Sequence, residues 1–183
     1  MIVLSALIFV AFTGCEKEDS NPIASTPKPA GLKTFSSNNV KLSPVYFSFD
    51  LKDSTTQTGA WDLKLTTMTA PEDTLGTFKF PGIQLNKTRN VKAKIVDNAN
   101  LDSLNALTVT ELVGDTDTSY AIGTLCLYYT GTTGTPPHSL KPYDKRIFVV
   151  ETGSGKRVKF QMKSYYNTAG ASGYMTFDYI VYE

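Results

Sequence analysis

The sequence predicts an all-β fold, an antiparallel β-sheet or sandwich, and three observations carry that reading. Over residues 157–163 the polar side chains Arg157, Lys159, Gln161 and Lys163 alternate with Val158, Phe160 and Met162, the period-two signature of a half-buried strand. Short runs of the same kind recur between turn residues along the chain, and only residues 98–104, with Leu101 and Leu104 three apart, have the spacing of a helical turn. Ten Tyr, ten Phe and 41% hydrophobic residues suit packed strands rather than a disordered chain.

Taken in order, the chain opens with an apolar run of about twelve residues ending at Thr13-Gly14-Cys15, too short to span a bilayer, which takes roughly twenty. It reads as a lipoprotein signal peptide over residues 1–14, with cleavage before Cys15 and acylation of that cysteine, although no Lys or Arg precedes the run. Residues 15–31 are rich in Pro, Ser and charge and read as a tether that could reach about 50 Å when extended. The single domain expected over residues 32–183 begins with two edge segments, 32–35 and 40–42. A strand follows over 45–51, with Val45, Phe47 and Phe49 inward and Tyr46, Ser48 and Asp50 outward.

After the polar turn 53–59, Trp61, Leu63 and Leu65 alternate with Asp62 and Lys64 to make the next strand, and residues 68–81 read as an irregular loop. Strands are expected over 91–95, 109–113 and 120–129, the last containing Cys126 as a buried small hydrophobe. With Cys15 acylated, Cys126 has no disulfide partner. Residues 130–145 are turn-rich and lead to a closing meander. There a strand over 147–150, a Gly153/Gly155 hairpin, the alternating strand from Arg157, a turn at 170–173 and the stripe Met175, Phe177, Tyr179, Val181 follow in succession.

Two segments resemble a known family. RIFVVETGSGKRVKFQMKSYY with GYMTFDYIVY, and VYFSFDLKD with AWDLKLTT around Trp61 and Asp62, are similar to the strands of the HmuY-like family, bacterial surface lipoproteins whose founding members bind haem. The resemblance implies an HmuY-like antiparallel β domain and a ligand cleft between loops. The order Cys15-Glu16-Lys17-Glu18-Asp19 likewise resembles the signal that exports such lipoproteins to the outer face of the outer membrane.

The residues themselves exclude several chemistries. A formal net charge of +1 with no long basic cluster gives no footprint for nucleic acid. One histidine and no nucleophile elbow leave no catalytic triad, and Gly153-Ser154-Gly155-Lys156 lacks the spacing of a phosphate loop. Asp115 with Asp117, and Glu72 with Asp73, lack the glycine and closing Glu of a calcium loop, so the chain reads as no enzyme.

What remains is binding. The resemblance implies two axial donors to haem iron, histidine or methionine, but residues 130–134 carry none and residues 91–120 contain no His, Met or Cys. His138, just beyond the first loop, and Met68, at the end of the Trp61 strand, are therefore the ligand candidates, with Met162 and Met175 assigned to the core. The expected function is capture of haem or a related porphyrin for iron acquisition by an outer-membrane, surface-exposed lipoprotein. Its expected partners are the ligand, the membrane through the lipid, and an outer-membrane receptor. The alternative is a scaffold that has lost haem and serves as a protein or glycan interaction module, using Tyr46, Tyr165 and Tyr182 as outward rings.

Overall fold

The computed structural model describes residues 29–70 and 75–183. Cys15, the signal peptide, Glu72 and Asp73 lie outside the described residues. In chain order the strands are β1 (Lys33–Ser36), β2 (Val45–Ser48), β3 (Asp53–Thr55), β4 (Leu63–Thr69), β5 (Lys79–Leu85), β6 (Lys92–Val96), β7 (Tyr128–Tyr129), β8 (Leu140–Lys141), β9 (Ile147–Glu151), β10 (Arg157–Tyr166) and β11 (Ser172–Tyr182). They form a five-stranded sheet, β1-β11-β10-β9-β6, a four-stranded sheet, β3-β2-β4-β5, and the β7-β8 hairpin, with every pairing antiparallel.

The alternation from Arg157 and the stripe from Met175 become β10 and β11, paired from Arg157↔Tyr182 to Met162↔Phe177 before the register shifts at Ser164. Their apolar faces pack against Phe47, Phe49, Leu63, Leu65 and Ile83 of the second sheet, giving one continuous core between the layers. Phe47 sits at its centre, 4.4 Å from the ring of Phe35 and 5.2 Å, edge-on, from Phe177. Phe47 and Phe177, both fully removed from water, contribute roughly 1.5–3 kcal/mol each. Met162 and Met175 are core, as expected.

The meander's second face is not wet. Residues 99–112 cross it, so Leu101 packs on Ile147 and Ile180, and Ala106 packs on Val149 and Tyr182. Lys159, placed by its alternation toward solvent, is only 3% exposed and donates from Nζ to the Leu104 carbonyl at 2.7 Å. The same cover explains why residues 109–113 form no strand: their apolar side chains serve the cover, and only Val113 bridges Ala93. Around Leu101 the expected helical turn is a turn, followed by a 3-10 turn at Ala106–Thr108.

Other expectations are corrected by long-range packing. Residues 40–42 are a turn rather than an edge segment, although Val40 is buried in the core. Residues 53–55, expected in a polar turn, make the short edge strand β3. The loop expected over 68–81 is the end of β4 and the start of β5, in which Pro81 lies opposite Thr67. Pro81 is tolerated because β5 is at the sheet edge, where no ladder needs its missing N–H. Of residues 120–129, expected as a strand, only Tyr128–Tyr129 form one, β7; the rest fold over that edge through the Ile83↔Gly123 bridge and a 3-10 turn at Thr124–Cys126.

Cys126 is buried, as expected, with Sγ 3.6 Å from the Pro81 carbonyl, and burial pushes its thiol up to about 12. Because the thiolate is the reactive form, Ellman's reagent at mildly alkaline pH should leave Cys126 untouched in a folded Cys15→Ser chain. It should titrate one thiol after urea is added, and fast reaction without denaturant would contradict this burial.

Asp62, expected to face outward, is fully buried just before β4. Its Oδ2 accepts the Phe49 N–H at 2.9 Å, and its Oδ1 accepts the Gly153 N–H at 3.1 Å and Arg89 Nη1 at 3.1 Å. Arg89 Nη1 also donates to the Ala60 and Trp61 carbonyls, and the guanidinium faces Asp50 at 3.6 Å. Asp50 in turn accepts the Ser154 hydroxyl and pairs with Lys156. One buried carboxylate thus ties the end of β2, the entry to β4 and the β9-β10 hairpin together. Of the hairpin glycines only Gly155 takes a positive φ, +84°; Gly153 is needed because a Cβ there would sit 2.7 Å from Arg89 Cβ.

Candidate ligand site at two hairpin tips

At the Tyr166 end of β10 the β7-β8 hairpin docks. Two register shifts in β10, on either side of Ser164, turn this end of the strand. The Leu140 N–H then donates to Tyr166 Oη at 2.9 Å, and Leu140 packs against the main core.

The hairpin's own loop is tightly wound. Thr130 Oγ1 donates to the Pro136 carbonyl and accepts the Ser139 N–H, both at 2.9 Å, and the Thr135-Pro136 peptide is cis. His138 stands near the tip with φ 54°, its N–H donating to the Gly131 carbonyl at 2.8 Å. Its imidazole is exposed, and Nδ1 is hydrogen-bonded to Tyr129 Oη. Among the described residues Nε2 has no hydrogen-bond partner, so the ring is held by one nitrogen and offers the other.

Met68 is on the neighbouring β4-β5 hairpin, directly opposite Phe80 on the outer face of the four-stranded sheet. Its side chain lies across Gly82; a Cβ on that glycine would come within 2.2 Å of Sδ. Between the two candidates stands an aromatic cluster. Phe78 and Phe80 have ring centroids 5.3 Å apart, Tyr129 is 6.3 and 6.2 Å from them, and His138 is 6.0 Å from Tyr129. Phe78 is 51% exposed and Tyr129 39%.

His138 and Met68 therefore flank one apolar surface shared by two hairpins, without touching each other. This cluster was missed in the sequence because residues 68–81 read as loop; the signal was the alternation Phe78, Phe80 ahead of Ile83 and Leu85. Lys79 and Lys141 add one cation from each hairpin, their Nζ atoms donating to Thr69 Oγ1 and to the Thr135 carbonyl.

The other candidates resolve as structural. Asp115 is half-buried and accepts the N–H groups of Leu85 and Ala121 at 2.7 and 2.8 Å, burial raising its carboxyl above the ordinary range. Asp117 pairs with Lys87. Among the described residues no cluster of three His, Cys, Asp or Glu could hold a metal ion. Residues 152–156 are a hairpin turn. Of the tyrosines expected to face outward, Tyr165 and Tyr182 are buried at 4% and 6% exposure, Tyr165 in the main core past the register shift at Ser164 and Tyr182 under the 99–112 cover, and Tyr46 is half-buried beside Trp61.

The family model described as HmuY protein matches residues 41–179. No curated protein matches the sequence. Among solved structures, a protein of Bacteroides vulgatus assigned as HmuY-like and heme-binding is 14% identical with a TM-score of 0.55, covering 81% of this chain and 90% of its own. The apo HmuY analog of Tannerella forsythia is 11% identical with a TM-score of 0.54 and covers 86% and 98%. Apo PinO of Porphyromonas gingivitis is 12% identical with a TM-score of 0.54 and covers 84% and 98%. At these identities the likeness speaks for the fold alone.

Proposed function

The chain belongs to the HmuY family, and from that premise we propose that it is a non-catalytic binding module for haem or a related porphyrin. We place the ligand against Phe78, Phe80 and Tyr129, with His138 as the primary axial donor and Met68 as the candidate second. The observation that carries the reading is the exposed imidazole at the edge of an aromatic surface, fixed through Nδ1 by Tyr129 and open at Nε2. Metal-bound histidines are oriented in this way, with the second nitrogen held by a neighbouring group.

The residues present fit the group. Haem, when bound, supplies an iron whose axial positions take imidazole nitrogen or thioether sulfur. The rings of both hairpins supply an apolar face for the macrocycle. Met68 can serve only by leaving its seat over Gly82. Lipid attachment at Cys15, a tether over residues 15–31, residence on the outer membrane and delivery to a receptor there complete the proposal. Residues Pro29 and Ala30 of that stretch already lie along β11.

Titrating the full-length chain with haemin tests it. A saturable Soret shift at one haem per chain is expected in the ferric state and after reduction with dithionite. A Soret band identical to free haemin in both states would reject haem coordination.

A further inference from the structure

A second concavity lies on the outer face of the four-stranded sheet, and it shares no residue with the hairpin site. It encloses about 280 Å³, the lower end of the range of small-molecule sites. We propose that it is a binding site for a neutral pyranose sugar.

Three aromatic side chains form its walls. The rings of Tyr46 and Trp61 are 5.3 Å apart and inclined at 60°, making a corner, and Tyr120 is 43% exposed on the other side. Trp61 Nε1–H is already used, donating to the Gln57 carbonyl at 2.9 Å. That bond fixes the indole and leaves its face as an apolar wall. A ring that presents C–H groups on one side and hydroxyls at its edge suits such a corner, because aromatic side chains offer rigid apolar area beside polar groups.

The floor is polar and uncommitted. Lys64 and Gln84 are cross-strand partners with their side chains on this face. Neither side chain has a hydrogen-bond or ion-pair partner among the described residues, and the same holds for the Gln57 amide. An amide places a donor beside an acceptor, which matches a pair of neighbouring hydroxyls.

Charge argues against an ion as the occupant. Lys87 on the rim is neutralised by Asp117, and both oxygens of Asp115 are taken by backbone N–H groups. Lys64 is thus the one charged side chain lining the cleft that has neither a hydrogen-bond nor an ion-pair partner among the described residues, and the lining as a whole, two lysines and two aspartates, carries no net charge. A single ammonium beside two amides is a set of hydroxyl partners rather than a phosphate cradle.

Trp61 is the chain's single tryptophan, so its emission reports this cleft directly. The full-length chain, titrated separately with glucose, galactose, mannose and N-acetylglucosamine, is expected to show a saturable change in Trp61 emission with at least one of them. The dissociation constant should be on the order of 1 mM. Gln84→Ala and Lys64→Ala, both on the outer face, should weaken that response about tenfold at unchanged melting temperature. His138→Ala should leave it intact, which separates this result from the fate of the haem site. No saturable change with any of the four sugars, an undiminished response in both variants, or displacement by inorganic phosphate would overturn the proposal.

Discussion

Replacing Asp62 with alanine is expected to destabilise the fold by about 3–5 kcal/mol, the usual consequence of leaving a buried ionic partner uncompensated. The carboxylate is the acceptor for the N–H groups of Phe49 and Gly153 and for Arg89. Alanine strands two backbone donors in the interior, each at about 1–3 kcal/mol, and removes the tie between the two sheets. Arg89 softens the loss because it retains the Ala60 and Trp61 carbonyls. Burial raises the Asp62 carboxyl, and the Gly153 and Phe49 amides and Arg89 pull it back. Asp62→Asn should therefore lose less than Asp62→Ala, since it preserves shape and one acceptor oxygen. Urea unfolding of both variants measures this, and an unchanged midpoint for Asp62→Ala would show that the buried cluster is not a tie.

The second large effect is functional. His138→Ala should lower haemin affinity by at least about 100-fold and abolish the shifted Soret band, whereas Tyr129→Phe should lower it by about 10–100-fold, the range for the group that orients a metal-bound histidine. Both residues are on an exposed hairpin, where substitutions usually stay within about 0.5 kcal/mol of the parent stability. Lost binding will therefore not be lost folding. Tight binding by His138→Ala would remove this histidine from the site and leave Met68 as the residue to change next.

The strands of the closing meander and their inward stripe were legible because the pattern is local: Val158, Phe160, Met162, Met175, Phe177, Tyr179 and Val181 face a core made by strands with the same alternation. Lys159 and Tyr182 were not, since their burial depends on residues 99–112, some fifty or more positions away in the chain. β5 was hidden by Pro81 and Gly82, both poor strand formers. They are accommodated here by an edge position and by the Met68 side chain, neither of which can be read locally. Runs such as 109–113 and 120–127 carry strand-like composition and were spent on covering faces and edges instead.

The candidate site divides in the same way. His138 and Met68 stood out by residue type. The cluster of rings that brings them to one surface exists only because the β7-β8 hairpin docks beside β4 and β5, a consequence of how the bulged end of β10 receives it.

That docking also gives the molecule a polarity. The chain enters the described fold at Pro29, bridged to Tyr182 at one end of β11, while Tyr166, which holds the His138 hairpin, pairs with Ser172 at the other. Ten steps of strand separate the two ends, about 33 Å. A protein moored from its amino-terminal side would therefore carry its receptive rings at the far pole, turned toward whatever approaches from the medium.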